Sequence, residues 1–370
     1  MKFCFWGNVA EAFKGNTSGG GELQIALLAK ALAKAGHEVV VIDPFSDSGF
    51  QSEEGVAILP VAGWNKGIRG LRMITHRLPA FYRLLRDQKA DVYYIRLRSY
   101  LHIPAYLAAR KNNAKFIQAL AHDLDVQGHA GKLKNEYLDR FQFFKYLSVS
   151  LPNDLAFDWL LKRSDYVFLQ HSGQKVRFQK IKGKEVLFRN LIVLPSAPHS
   201  KEITDEYYIH VGAISVLKGS ENLFELIRKL SAGIKVVIVG NARDKRSRAI
   251  VEKLRGYPNV ILTGRKSHSE TLQLISRSKA LISTSNFEGF PNIFLESWVS
   301  SVPVISLHIN PDRIIEKYGL GYDCAGDINR MIEVMEKADF QKFRKEDFYS
   351  YLINNHNWDT ASERLMNIIS

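Results

Sequence analysis

Glu22-Leu23-Gln24-Ile25-Ala26-Leu27-Leu28-Ala29-Lys30-Ala31-Leu32-Ala33-Lys34-Ala35, then Gly36-His37-Glu38, then Val39-Val40-Val41-Ile42: this stretch decides the fold. In its first part Leu23, Leu27, Leu28, Ala31 and Leu32 recur at helical spacing and share one face. Gly36 stops the helix, because a residue without Cβ enters the left-handed conformation at little cost. The apolar run Val39–Ile42 follows, too short for a helix and with no polar alternation. A strand of that kind is buried on both faces, as in a parallel sheet covered by helices. Helix feeding directly into such a strand is half of a βαβ unit.

The same rhythm extends in both directions. Strands are expected at Lys2–Trp6, Val39–Ile42, Val92–Ile95, Phe116–Leu120 and Tyr166–Leu169, with amphipathic stretches between several of them. A second series runs Tyr208–Val211, Lys235–Val239, Val260–Leu262, Ala280–Thr284 and Val304–Leu307. One of its helices opens at Ser267-His268-Ser269-Glu270, a serine N-cap with glutamate three residues on. Between the series, Leu194-Pro195-Ser196-Ala197-Pro198-His199-Ser200 has the composition of a linker. At 370 residues the chain is long enough for more than one core. The expectation is an α/β protein: two doubly wound, Rossmann-like domains, residues 1–195 and 203–345, facing across a cleft. In such folds ligands bind at the carboxyl ends of the strands.

Composition narrows the class. The chain is 46% hydrophobic and 24% charged, the balance of a globular protein in water. It has no apolar run of about eighteen residues, so no spanning helix is expected. The opening Met1-Lys2-Phe3-Cys4-Phe5-Trp6-Gly7-Asn8 turns polar too soon for a secretory signal core. Cys4 and Cys324 lie far apart in hydrophobic stretches and are expected to be buried free thiols in a reducing compartment. A cytoplasmic location is expected.

The formal net charge of +13 implies attraction to something anionic. The excess concentrates at residues 64–89, where Lys66, Arg69, Arg72, Arg77, Arg83, Arg86 and Lys89 face one acid, Asp87. Trp64, Phe81 and Tyr82 are interleaved with them. One reading is a solvated helical face above an ordinary core stripe. The other is a basic, aromatic-bearing surface that docks on an anionic membrane, making the protein peripheral at the inner face. No zinc spacing, aromatic sheet motif or recognition-helix pattern accompanies the charge, so nucleic acid is not the expected partner.

Chemistry concentrates in Ser283-Thr284-Ser285-Asn286-Phe287-Glu288-Gly289-Phe290-Pro291-Asn292-Ile293-Phe294-Leu295-Glu296. A strand ends near Ser285, a loop carries Glu288, and Pro291 suits the first turn of a helix. The fresh helix N-terminus offers unpaired N–H groups and a positive dipole end, which suit a diphosphate. Glu296, on the second turn, can accept two hydrogen bonds from a vicinal diol such as ribose. Phe287, Phe294 and Trp298 are expected in the core. Paired glutamates at this spacing are common on exposed helices; the strand end before them favours the functional reading.

Glu288-Gly289-Phe290-Pro291 with Glu296 resembles the E-x7-E motif of the retaining glycosyltransferases of family 4, which have the GT-B fold. Val211-Gly212 with Lys218-Gly219, Val239-Gly240, Asn259–Gly264 and Pro303-Val304-Ile305 are similar to the family's pattern in the second half. Gly19-Gly20-Gly21-Glu22, Gly36-His37-Glu38-Val39, Ala121-His122-Asp123 and Asn190 are similar to it in the first half. The stretch around Trp358 resembles the helix that returns to the first domain, here residues 346–370. The resemblance implies a nucleotide-sugar donor, UDP- or GDP-linked, as a substrate with no further cofactor. The acceptor would be a saccharide or lipid-linked saccharide in surface polysaccharide or glycolipid assembly. It implies roles: Glu288 beside the transferred sugar, Glu296 on the ribose, Lys218 on the diphosphate, and His122 lining the sugar site. Gly20 and Gly21 would let the backbone approach the phosphates. Gly212, Arg265 and Gly289-Phe290-Pro291-Asn292-Ile293 complete the donor site. No Asp-x-Asp metal site is evident, so Lys218 and helix ends would stabilise the leaving diphosphate without a metal.

The pattern departs from the family at two places. Ala213 stands where an arginine usually follows the glycine, so either Arg189, Arg243 or Arg265 supplies the second phosphate cation or donor binding is weak. Ser300-Ser301-Val302-Pro303 lacks the usual small glycine, a packing change. Two rival readings remain: a catalytically silent nucleotide-sugar-binding protein, which Ala213 keeps open, and a nucleotide-sugar 2-epimerase of the same fold.

Overall fold

The computed structural model describes residues 1–14, 19–68, 71–126, 147, 150–175, 183–196 and 207–370. The chain divides into two compact units, Met1–Leu191 with Trp358–Ser370, and Ile192–Asn357. Each is built on one sheet.

The first unit has an eight-stranded sheet of order β3-β4-β2-β1-β5-β6-β7-β8. Its strands are β1 (Lys2–Trp6), β2 (Glu38–Asp43), β3 (Phe50–Gln51), β4 (Ala57–Pro60), β5 (Val92–Arg96), β6 (Lys115–Ala119), β7 (Tyr166–Leu169) and β8 (Lys184–Leu187). Only β3 runs antiparallel, against β4. Alternation along β1 feeds two cores. Phe3 and Phe5 pack with Ile25, Leu28 and Leu32 of α1 (Gly20–Lys34). Cys4 and Trp6 pack on the other face with Phe81 and Leu85 of α2 (Leu78–Asp87) and Ala105 and Ala108 of α3 (His102–Lys111). Each fully buried phenylalanine contributes about 2 kcal/mol. The order reverses at β1, which pairs with β2 on one side and β5 on the other.

The second unit has a six-stranded, all-parallel sheet of order β11-β10-β9-β12-β13-β14. These are β9 (Tyr207–Val211), β10 (Lys235–Val239), β11 (Val260–Gly264), β12 (Ala280–Ser283), β13 (Val304–Ser306) and β14 (Gly321–Asp323). Its helices include α4 (Ser220–Lys229), α5 (His268–Arg277), α6 (Asn292–Val299) and α7 (Lys345–Asn355). Here the order reverses at β9, between β10 and β12. The crevice above such a reversal is where an open α/β sheet takes its ligand. The loops after β9 and β12 open into it.

Several expectations change. The short strands β3, β4, β8 and β14 are not expected from sequence, because they are two to four residues long and, unlike the equally short central strands, mostly part-exposed. Residues 346–357 do not return to the first unit: Phe348, Tyr351 and Leu352 of α7 join Phe294 and Trp298 in a second-unit core. The crossing comes at Trp358, and α8 (Ala361–Ile369) docks Ala361, Leu365 and Ile369 onto the first-unit core. Of the linker, residues 194–196 belong to the second unit, while 197–200 lie outside the described residues. Cys4 and Cys324 are buried and free, and burial pushes both thiols up to about 12. Among the described residues no helix is long and apolar enough to cross a membrane.

The basic stretch is also rearranged. Trp64 and Phe81 are buried in the first-unit core, so they are not interfacial anchors. Arg77 lies over Trp64 at 4.8 Å and donates to its carbonyl, and Arg86 pairs with Asp87. Arg69 lies outside the described residues. Lys66, Arg83 and Lys89 are exposed, and so are Ile68 (73%), Leu71 (56%) and Ile74 (71%).

Candidate active site

The turn Val216–Gly219 and the loop Thr284–Asn286 are laced together. Asn286 donates its backbone N–H to the Leu217 carbonyl (3.1 Å) and its amide to the Val216 carbonyl (3.1 Å). Asn222 of α4 donates to the Thr284 carbonyl and to Asn286 Oδ1. Gly219 permits this closeness: its φ is +67°, and a Cβ there would overlap the Thr284 carbonyl. The lacing brings Lys218 to Glu288, and its ammonium donates to Glu288 Oε1. Lys218 remains 39% exposed while Glu288 is 12% exposed, so the pair lies at the lip of the crevice.

Downstream, Pro291 is the N-cap of α6 and Asn292 its first residue. Phe290 turns its ring into the core against Trp298 and His356, leaving its backbone as its only offering to a ligand. Ile293 packs on the same core, as do Phe294 and Trp298, whereas Phe287 is half-buried and joins no core cluster. Glu296 is only 9% exposed, and its carboxylate, unlike its backbone carbonyl, has no hydrogen-bond partner among the described residues. Burial pushes its carboxyl up to about 7. An unpartnered buried carboxylate is costly unless something completes it. Near it stands His268, at the start of α5, with Nδ1 4.0 Å from Glu296 Oε1. Sequence reasoning passed over His268 because the capping signature around it accounts for the segment without it.

Gly212 follows β9 at φ +146°, and Gly240 follows β10 at φ +144° with no room for a Cβ beside the Gly212 carbonyl. Ile214 accepts from the Arg243 backbone N–H at 3.1 Å and donates to Asn241 at 3.0 Å. Arg243 is thereby held beside the loop containing Ala213, with its side chain exposed and unpaired among the described residues. Arg265 is exposed after β11, and Arg189 belongs to the first unit.

In the first unit, Gly20 and Gly21 open α1 behind the N-cap Gly19. A Cβ on Gly21 would lie 2.5 Å from Leu97, which takes the left-handed conformation (φ 75°) after β5. A side chain at 21 would therefore displace the end of the Leu97 side chain, so packing by itself favours a small residue there. His122 follows β6 and is fixed by Asp125, which accepts from the Ala121 and His122 backbones. Asp125 itself pairs with Arg98, which also binds Asp154. His122 Nδ1 accepts from Leu124 N–H, which assigns the ring proton to Nε2, with no partner for that N–H among the described residues. Asp123, next along, is held by His171 (2.8 Å) and Gln174 (2.9 Å), a contact that sequence spacing did not reveal.

Residues 18–167 match the family model described as Glycosyltransferase Family 4, and residues 196–324 match the one described as Glycosyl transferases group 1. No curated protein matches the chain by sequence. By fold it is similar to sucrose-phosphate synthase from Thermosynechococcus elongatus, with TM-score 0.76 and 13% identity over 100% of this chain and 98% of that one. It is similar to the Anabaena protein Alr3699/HepE in complex with UDP and glucose, with TM-score 0.68 and 13% identity over 100% and 99%. It is also similar to the lipopolysaccharide outer core galactosyltransferase WaaB, with TM-score 0.64 and 17% identity over 100% and 99%. Both halves match a glycosyltransferase model and the whole chain has the GT-B fold, so the protein belongs to the family 4 glycosyltransferases, enzymes that take sugar from a nucleotide donor.

Proposed function

We propose that this enzyme transfers a sugar, with retention, from a UDP- or GDP-sugar bound by the second unit to an acceptor hydroxyl presented at the first. The observation that carries this is the meeting of Lys218 and Glu288 at the crevice where the sheet order reverses. A leaving diphosphate gathers negative charge as the glycosidic bond breaks, and fixed cations and N–H dipoles offset it. Lys218 supplies one cation, the N-terminus of α6 supplies dipoles, and Arg243 supplies the cation that Ala213 lacks. With the diphosphate on Lys218, Glu288 is released to face the sugar. Glu296 accepts from the ribose hydroxyls. Gly212 and residues 289–293 bring backbone to the donor, Arg265 flanks it, and Gly20, Gly21 and His122 serve from the first unit.

The acceptor in this reading is a saccharide or lipid-linked saccharide of surface polysaccharide or glycolipid assembly. Support comes from the exposed Ile68, Leu71 and Ile74 beside Lys66, Arg83 and Lys89, a combination that suits an anionic membrane at the cytoplasmic face. The test is a panel of nucleotide sugars assayed for nucleoside diphosphate release, with chelator present and Glu288→Gln as control. Release by the wild type alone supports transfer. Donor binding with no release from any acceptor mixture would favour a silent binder.

A further inference from the structure

His268 and Glu296 stand in an unusual relation. Their closest atoms, Nδ1 and Oε1, are 4.0 Å apart, too far for a direct hydrogen bond. Nothing else among the described residues bonds the Glu296 carboxylate, although it is nine-tenths buried. A hydroxyl seated beside this gap, off the line joining the two atoms, is within reach of both. A hydroxyl can donate its proton to a carboxylate while accepting from an imidazole N–H, and both bonds are then of ordinary length. Water can occupy the gap, but a ligand hydroxyl held there would be read by both residues together.

The helix chemistry leaves His268 free for this. The start of α5 is secured by Ser267 and Glu270, each bonding the other's backbone, so the cap makes no use of the imidazole. Its ring is 46% exposed, reachable by a ligand, and burial of its other side holds it below the ordinary histidine range. A neutral imidazole with its proton on Nδ1 is the required donor. Glu296 rises from the second turn of α6, so two separate helices converge on one point.

We propose that His268 and Glu296 share one hydroxyl of the donor's ribose, making His268 a residue that discriminates ribonucleotides from their deoxy counterparts. The proposal rests on the reading of Glu296 as the ribose partner and adds a second reader to it. Losing the shared hydroxyl strips Glu296 of its donor and His268 of its acceptor at once. A site built this way rejects the analogue more strongly than an apolar pocket would.

Calorimetric titration of UDP, GDP and their 2′-deoxy and 3′-deoxy counterparts into the full chain tests it. The wild type should bind one ribonucleotide at least about tenfold more tightly than the analogue lacking the shared hydroxyl. His268→Ala should weaken the ribonucleotide by about five- to tenfold and leave that analogue unaffected, because the two losses are one loss. His268→Asn, which keeps an N–H donor, should recover most of the discrimination. Equal weakening of every ligand by His268→Ala, or no weakening at all, would overturn the shared hydroxyl. So would a wild type that binds ribo and deoxy forms alike. If the wild type binds neither diphosphate, the donor reading falls with it, a result distinct from the others.

Discussion

Lys218 and Glu288, 70 residues apart in sequence, meet because the loops after β9 and β12 emerge on the two sides of one crevice. Each neutralises the other while the site is empty, and a bound diphosphate would compete for the lysine. Glu288→Gln should therefore leave donor binding equal or tighter while lowering turnover by about a hundredfold or more. Lys218→Ala should weaken donor and turnover together. An unchanged kcat in Glu288→Gln would remove that carboxylate from the chemistry.

Glu296 ties stability to pH. Its folded-state pKa is raised from 4.5 to about 7 by burial, so the folded carboxyl keeps a proton that the unfolded chain releases. That stabilisation is fully present below 4.5 and is lost as the pH rises through about 7. Glu296→Gln should be more stable than wild type by about 3 kcal/mol at pH 8, with the gap closed near pH 4. Donor binding should run the other way, strengthening in the wild type as the carboxylate ionises and staying flat in the glutamine variant. Denaturant melts and titrations across that range check both; parallel curves for the two proteins would contradict the assignment.

Gly219→Ala should cost about 3 kcal/mol, since the new methyl meets the Thr284 carbonyl and the backbone must leave φ +67°. Activity should fall beyond the loss of folded protein, because Lys218 moves with its neighbour. A variant with wild-type Tm would mean the lacing of the two loops is loose.

Arg243→Ala should weaken nucleoside diphosphate binding about tenfold and leave binding of the corresponding nucleoside unchanged, as expected for a phosphate cation. Arg265→Ala makes the comparison informative. If it, and not Arg243→Ala, shows that pattern, the second cation lies after β11.

For the membrane reading, sedimentation with anionic vesicles at low salt should bring down the wild type and weaken as salt rises. Replacing Lys66, Arg83 and Lys89 by Gln should weaken binding about tenfold or more. Replacing Ile68, Leu71 and Ile74 by Ser should remove what binding survives high salt. Indifference of the wild type to anionic lipid would favour a soluble acceptor.

Much of this architecture is legible in the chain because its central strands are apolar throughout and each long helix carries one apolar face. Val39–Ile42 could be placed from sequence since burial on both sides leaves no choice of residue. The edge strands were not, because Phe50–Gln51 and Lys184–Leu187 are half-open and too short to show a period. Glu288, Glu296 and Lys218 could be named because glycine and proline punctuate the loops around them. His268 could not, since its partner is 28 residues away on another helix and only folding puts them side by side. Trp64 and Phe81 were left open between surface and core for a related reason: an aromatic among arginines looks the same in sequence whether its ring faces water or the core.

The crossing at Trp358 has a consequence for how the protein is made. The first unit's core is closed by Ala361, Leu365 and Ile369, which follow the entire second unit in the chain. During synthesis, Met1–Leu191 therefore waits with the α1 face of its sheet incompletely covered while Ile192–Asn357, contiguous in sequence, can fold as soon as it emerges. The half that is translated first is the half that matures last.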